Sequence, residues 1–99
     1  MTRLQPVHPG ENLKYDFMEP FGLSATALAK ATGVTPARIN EIVRGRRGIT
    51  AGTALRLAKY FGTDARSWMN LQTHYELALA ETAAAGDLRA IRPSEAAAP

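Results

Sequence analysis

Apolar positions along this chain recur three and four residues apart, the period of a helix, and nowhere alternate for long enough to make a strand. A first helix is predicted from Pro9, where proline costs no hydrogen bond, through Leu13 and Phe17 until Glu19-Pro20 stops it. Ser24 caps a second, Ala25 to Thr32, with Leu28, Ala29 and Thr32 on one side and Gly33 ending it. Thr35 caps a third with Pro36 at its first position; Ile39, Ile42 and Val43 form its stripe, and Gly45 terminates it. Arg46-Arg47-Gly48-Ile49 then makes a tight basic loop before the next cap, Thr50. The fourth helix sets Ala54, Leu57, Ala58 and Phe61 on one face and ends at Gly62, and Asp64 caps a longer fifth. In that fifth helix Trp68, Leu71, Gln72, Tyr75 and Leu79 share a face, with alanine-rich turns carrying it to about Ala85.

The pattern therefore predicts one all-α domain of five helices over residues 1–85, opened by an extended arm that ends at Val7. Residues 86–99, GDLRAIRPSEAAAP, hold only Leu88 and Ile91 as bulky apolar side chains, too little to offset ordering entropy, and are expected to be a flexible tail.

Composition narrows the function classes. The 99 residues hold no cysteine and two distant histidines, His8 and His74, which excludes a disulfide framework and Cys-ligated metal and leaves no metal cage or cofactor cradle to expect. GRRG lacks the spacing and strand context of a phosphate loop, and no serine has a histidine nearby, so no catalytic residue is assigned and an enzyme is not expected. His8 is read as the residue that opens the first helix by bonding local backbone, and His74 as a surface residue. No apolar run is long enough to cross a bilayer and the N-terminus lacks a signal-peptide core, so no membrane partner and a cytoplasmic location are expected.

Charge distribution then singles out the middle of the chain. Between Lys30 and Arg66 eight lysines and arginines face only Glu41 and Asp64, net +6, while the remainder, with four cations and seven carboxylates, is −3. Such asymmetry is the footprint of a surface that meets a polyanion, although surplus arginines on a solvated face would read the same way. The segment LSATALAKATGVTPARINEIVRGRRGI decides between them. Two capped helices meet at a glycine turn, with small Ala29 where they cross and Leu28, Ile39, Ile42 and Val43 pointing inward. It resembles the helix-turn-helix of phage-repressor-like transcription factors. Pro36, Ala37, Arg38, Asn40, Glu41 and Arg44 are left on or beside the outer face of the third helix, the one such proteins lay in the major groove, with Thr35 at its start. Ser24 and Thr26 at the start of the second helix would abut a phosphate, and the loop arginines Arg46 and Arg47 would contact others.

HPGENL, GRRGIT-x3-ALRLAKYFG and W-x2-LQ-x2-YEL together are similar to the HigA family of antitoxins over about residues 8–80. The resemblance implies a homodimer that binds an operator inverted repeat in double-stranded DNA, represses its own operon and neutralises a HigB-type toxin, a RelE-like mRNA endonuclease. The chain departs from repressor-like sequences at Ala25, where a phosphate-bonding glutamine is common, and at Pro36 and Ala37, which replace polar base readers. Trp68, Met69, Leu71, Tyr75 and Leu79 offer more apolar surface than one side of a small core absorbs, so part of it is assigned to a two-fold interface. Three rivals remain: a free-standing phage-type repressor without a toxin, an interaction module that has lost DNA binding, and, more distantly, an enzyme.

Overall fold

The computed structural model describes residues 5–95, and every regular element among them is helical. A short α1 (Pro9–Glu11) runs into a π-helical segment (Asn12–Met18), followed by α2 (Ala25–Thr32), α3 (Pro36–Val43), α4 (Ala51–Phe61), α5 (Ala65–Ala83) and α6 (Ala85–Ala90). Of the expected arm, residues 1–4 lie outside the described residues, as do 96–99 of the tail.

Three of the four sequence-predicted caps for helices two to five act as such. Ser24, Thr35 and Thr50 each accept a hydrogen bond from the backbone N–H three residues on, satisfying a donor the helix cannot. Asp64 does not: its carboxylate instead accepts from the Ser67 hydroxyl, at 3.3 Å, and makes no bond to the helix backbone. At the far ends Gly33 and Gly62 take the left-handed conformation, with φ of 79° and 70°.

The first helix departs from its expected register. The sequence pairs Leu13 with Phe17, whereas the fully buried residues are Leu13 and Met18, five apart, with Phe17 only partly buried. Bonds of the i to i−5 type, such as Glu19 N–H to the Lys14 carbonyl at 2.9 Å, widen the turn by one residue and align those two side chains on the core. At the other end α5 stops at Ala83 and α6 follows. Residues 85–90 are thus helical where the composition argues for a flexible segment from Gly86; the run Ala83-Ala84-Ala85 favours continuation, and Leu88 N–H bonds the Ala84 carbonyl at 2.8 Å.

The core gathers Leu13, Leu28, Ile39, Ile42, Ala54 and Leu57, all without exposed surface, around Ile49 and Trp68. Each fully buried leucine or isoleucine contributes about 1.5–3 kcal/mol by its removal from water. Trp68, expected in the core and also counted toward a two-fold interface, belongs to the core, which corrects the interface assignment. Its ring is 2% exposed, stacks 5.0 Å from Phe17, and its indole N–H donates to Thr63 Oγ1 at 2.9 Å. Leu71, on the same predicted face, is 38% exposed, while Gln72 beside it is buried.

Candidate nucleic-acid interface

The turn between α2 and α3 is built from Thr32 to Thr35. Thr32 Oγ1 donates to the Leu28 carbonyl at 2.7 Å and accepts from the Val34 N–H at 3.3 Å, while Gly33 supplies the left-handed residue. Arg56 reaches across from α4 to donate to the Thr32 carbonyl at 3.0 Å, and its guanidinium lies where a Cβ on Gly33 would stand, 2.8 Å away. Counted in the sequence as part of a basic surface, Arg56 is committed to holding the end of α2, where a cation also suits the helix dipole.

With Ile39 and Ile42 wholly inside, the outward face of α3 is settled. Pro36, Ala37, Arg38, Asn40 and Arg44 are exposed and Glu41 is half-buried. Thr35 Oγ1 accepts from the Arg38 N–H at 3.2 Å, fixing the start of this helix. Ser24 and Thr26 lie exposed at the start of α2, with Ser24 Oγ taking the Ala27 N–H at 3.1 Å.

After α3 the chain turns through Gly45, φ 74°, and Arg46 N–H bonds back to the Glu41 carbonyl at 2.8 Å, a helix end closed over a left-handed residue. Arg44, Arg46 and Arg47 are all exposed around this turn. Arg47 Nε stands 3.5 Å from Glu41 Oε1, both side chains well exposed, so the ion pair contributes little to stability but offsets one positive charge at the edge of the face.

Behind α3 the HPG segment forms its support. Gly10 packs so closely on the C-terminal end of α3 that a Cβ there would overlap the Ile42 carbonyl. His8 caps α1 through Nδ1, its ring edge-on to Tyr75 at 4.8 Å and beneath Gly45. Burial holds its pKa below the ordinary histidine value, against a smaller opposing pull from Glu11. Along α5, Met69 and Tyr75 are half-buried, while Leu71, Leu77 and Leu79 are exposed. Thr26, Lys30, Thr35 and Pro36 line one shallow depression between α2 and α3, and Glu41 meets Arg47 of the loop. His8 bonds local backbone at the entry to the first helix, as the sequence led one to expect, whereas Gln72, buried on α5, and the supporting roles of Gly10 and Arg56 were not assigned from sequence. Only Gln72 carried a signal, a polar residue within an apolar stripe.

Three comparisons bear on this arrangement. The helix-turn-helix family model matches residues 15–68, which span α2 to α4 and reach Trp68. Virulence-associated protein I of Dichelobacter nodosus is 64% identical over 80 residues, 81% of this chain and 74% of that protein. Antitoxin HigA-1 of Vibrio cholerae is 37% identical over 76 residues, 77% and 71% of the two chains. Among solved structures, the antitoxin HigA of Pseudomonas aeruginosa, determined with the higBA promoter, superposes with a TM-score of 0.86 at 46% identity, covering 90% of this chain and 98% of that one.

Proposed function

Because the chain belongs to the helix-turn-helix family of HigA-type antitoxins, we propose that it is a DNA-binding autorepressor which, as a two-fold dimer in the cytoplasm, reads an operator inverted repeat and neutralises a HigB-type toxin. The observation that carries this reading is the outward face of α3, exposed from Pro36 to Arg44 around a wholly inward Ile39 and Ile42, in a fold shared at 46% identity with an antitoxin solved on promoter DNA. In this reading Asn40, Arg38 and Glu41 meet base edges with Pro36 and Ala37 making apolar contacts, and Arg44, Arg46 and Arg47 meet phosphates. Ser24, Thr26 and Thr35 lie at helix N-termini, where free N–H groups favour a phosphate oxygen.

The dimer is assigned to α5. Leu71 and Leu79 are exposed on that helix, with the half-buried Met69 and Tyr75 along it. Two copies are also what specificity requires, since a single recognition helix reads few base pairs.

An electrophoretic shift with the duplex upstream of its own gene tests the repressor reading, with a random duplex of equal length as control. Equal binding to both would overturn it. Co-purification with the product of the adjacent gene tests the toxin. A neighbour with no RelE-like fold, together with intact operator binding, would favour the free-standing repressor.

A further inference from the structure

The basic loop between α3 and α4 is tied to a helix that carries none of the proposed DNA contacts. Gln72 of α5 is 7% exposed, in a position of the stripe where a leucine would satisfy packing alone. Burying a primary amide is costly unless it is bonded. Its Oε1 accepts the backbone N–H of Ile49 at 2.8 Å, across 23 residues of sequence. The same amide lies so near Gly48 that a Cβ there would stand 2.7 Å from Nε2. The loop is therefore pinned at both ends, by Arg46 N–H on the Glu41 carbonyl and by Ile49 N–H on Gln72, with the Ile49 side chain sunk in the core. Between those pins stand Arg46 and Arg47, both exposed.

We infer that Gln72 is a positioning residue for phosphate contact: it holds the Arg46–Ile49 loop in one geometry, so that both arginines reach the DNA backbone together. This rests on the DNA-binding reading above and assigns a part in it to a side chain remote from the nucleic acid. It also gives Gly48 a reason, since only a residue without a Cβ lets the loop backbone approach the Gln72 amide. Gln72 lies between Leu71 and Tyr75, the residues assigned to the second copy, so assembly and loop geometry share one helix.

The test compares Gln72→Met, which keeps length and apolar packing but removes the acceptor, with Gly48→Ala, which displaces the same contact from the other side. Both should melt cooperatively and bind the upstream duplex about tenfold more weakly at ~100 mM salt. Their plots of log affinity against log salt should be flatter by roughly 2 to 4, as a dimer loses up to four arginine–phosphate contacts. Loss of stability alone would leave that slope unchanged. Hydrogen exchange at the Ile49 amide should quicken in Gln72→Met while that at Leu57 does not, and the double variant should bind no worse than either single one. A wild-type salt slope, or an unchanged Ile49 amide, would overturn the assignment. If Gln72→Met does not melt cooperatively, Gly48→Ala decides by the same slope. If the unsubstituted protein binds neither the upstream nor a random duplex, the DNA-binding reading falls, while Ile49 exchange still decides whether Gln72 fixes the loop.

Discussion

Nδ1 of His8 accepts the Gly10 N–H at 2.8 Å, so the cap that opens the first helix exists only while that nitrogen is unprotonated. Burial lowers the folded-state pKa below the value of 6.5 expected unfolded. The folded protein therefore binds fewer protons, and stability is full above the unfolded value and falls as pH drops through it toward the folded one. Glu11, Lys14, Tyr15, Arg44 and Tyr75 line the same cleft, and of these Glu11 opposes the effect of burial. Thermal melts between about pH 7.5 and 5 should show a declining midpoint, and His8→Asn, which retains a capping oxygen, should flatten that decline. Parallel curves for the two proteins would remove His8 from the explanation.

Salt separates the two kinds of proposed DNA contact. If Lys30, Arg44, Arg46 and Arg47 of each copy meet phosphates, a dimer neutralises about six to eight, and affinity should drop roughly 10³-fold or more between 50 and 200 mM salt. Arg46→Ala should weaken binding to every sequence alike, whereas Asn40→Ala should relax preference at one base position by about 1–3 kcal/mol. Finding the two behaviours exchanged would reverse the assignments of loop and helix.

Glu41 offsets Arg47 across 3.5 Å in the free protein. Glu41→Gln frees that guanidinium and removes a carboxylate from a face that approaches phosphate, so affinity for random duplex should rise by a few-fold at low salt, with the difference vanishing as salt screens it. A fall in affinity for random duplex would mean that the pair orients Arg47 for its contact.

Leu71 is exposed on α5, and its replacement by aspartate leaves the core untouched. Leu71→Asp should retain its helix content and melt, yet sediment as a monomer at tens of micromolar and lose operator binding, since half-sites about 10 base pairs apart are read only by linked recognition helices. An unchanged dimer would move the interface to another surface.

Truncation after Ala85 should leave melting and operator binding nearly as they were, because among the described residues no core or α3 residue lies beyond it. Loss of toxin neutralisation with DNA binding intact would instead make Leu88 to Arg92 a contact for the partner.

What sequence spacing resolves, and where it stops, follows from what each signal encodes. Ser24, Thr35, Thr50, Gly33 and Gly62 act through bonds or backbone angles within a few residues, and local pattern identifies them. Asp64 satisfies the same pattern but its carboxylate meets Ser67, a choice the pattern leaves open. Leu13 with Phe17 is the stripe an ordinary helix offers; pairing Leu13 with Met18 needs the widened turn, which tertiary packing selects and spacing does not announce. Leu71 and Gln72 both lie on the face predicted for α5, and the inward place goes to Gln72, whose partner lies 23 residues away. The contacts of Gly10 and Arg56 are likewise tertiary, and no property of the residues themselves announces them.

The widened turn at Asn12–Met18 works as a phase adjuster between two fixed points. On one side Gly10 must meet the Ile42 carbonyl; on the other, Met18 must reach the core. Straightening this stretch into an ordinary α-helix without removing a residue would rotate the HPG segment by about 100° relative to the core, swinging His8 and Gly10 away from the end of α3, whereas removing one residue at the same time would restore the phase. The extra residue and the widened turn are thus matched: either one without the other would disengage the support beneath α3.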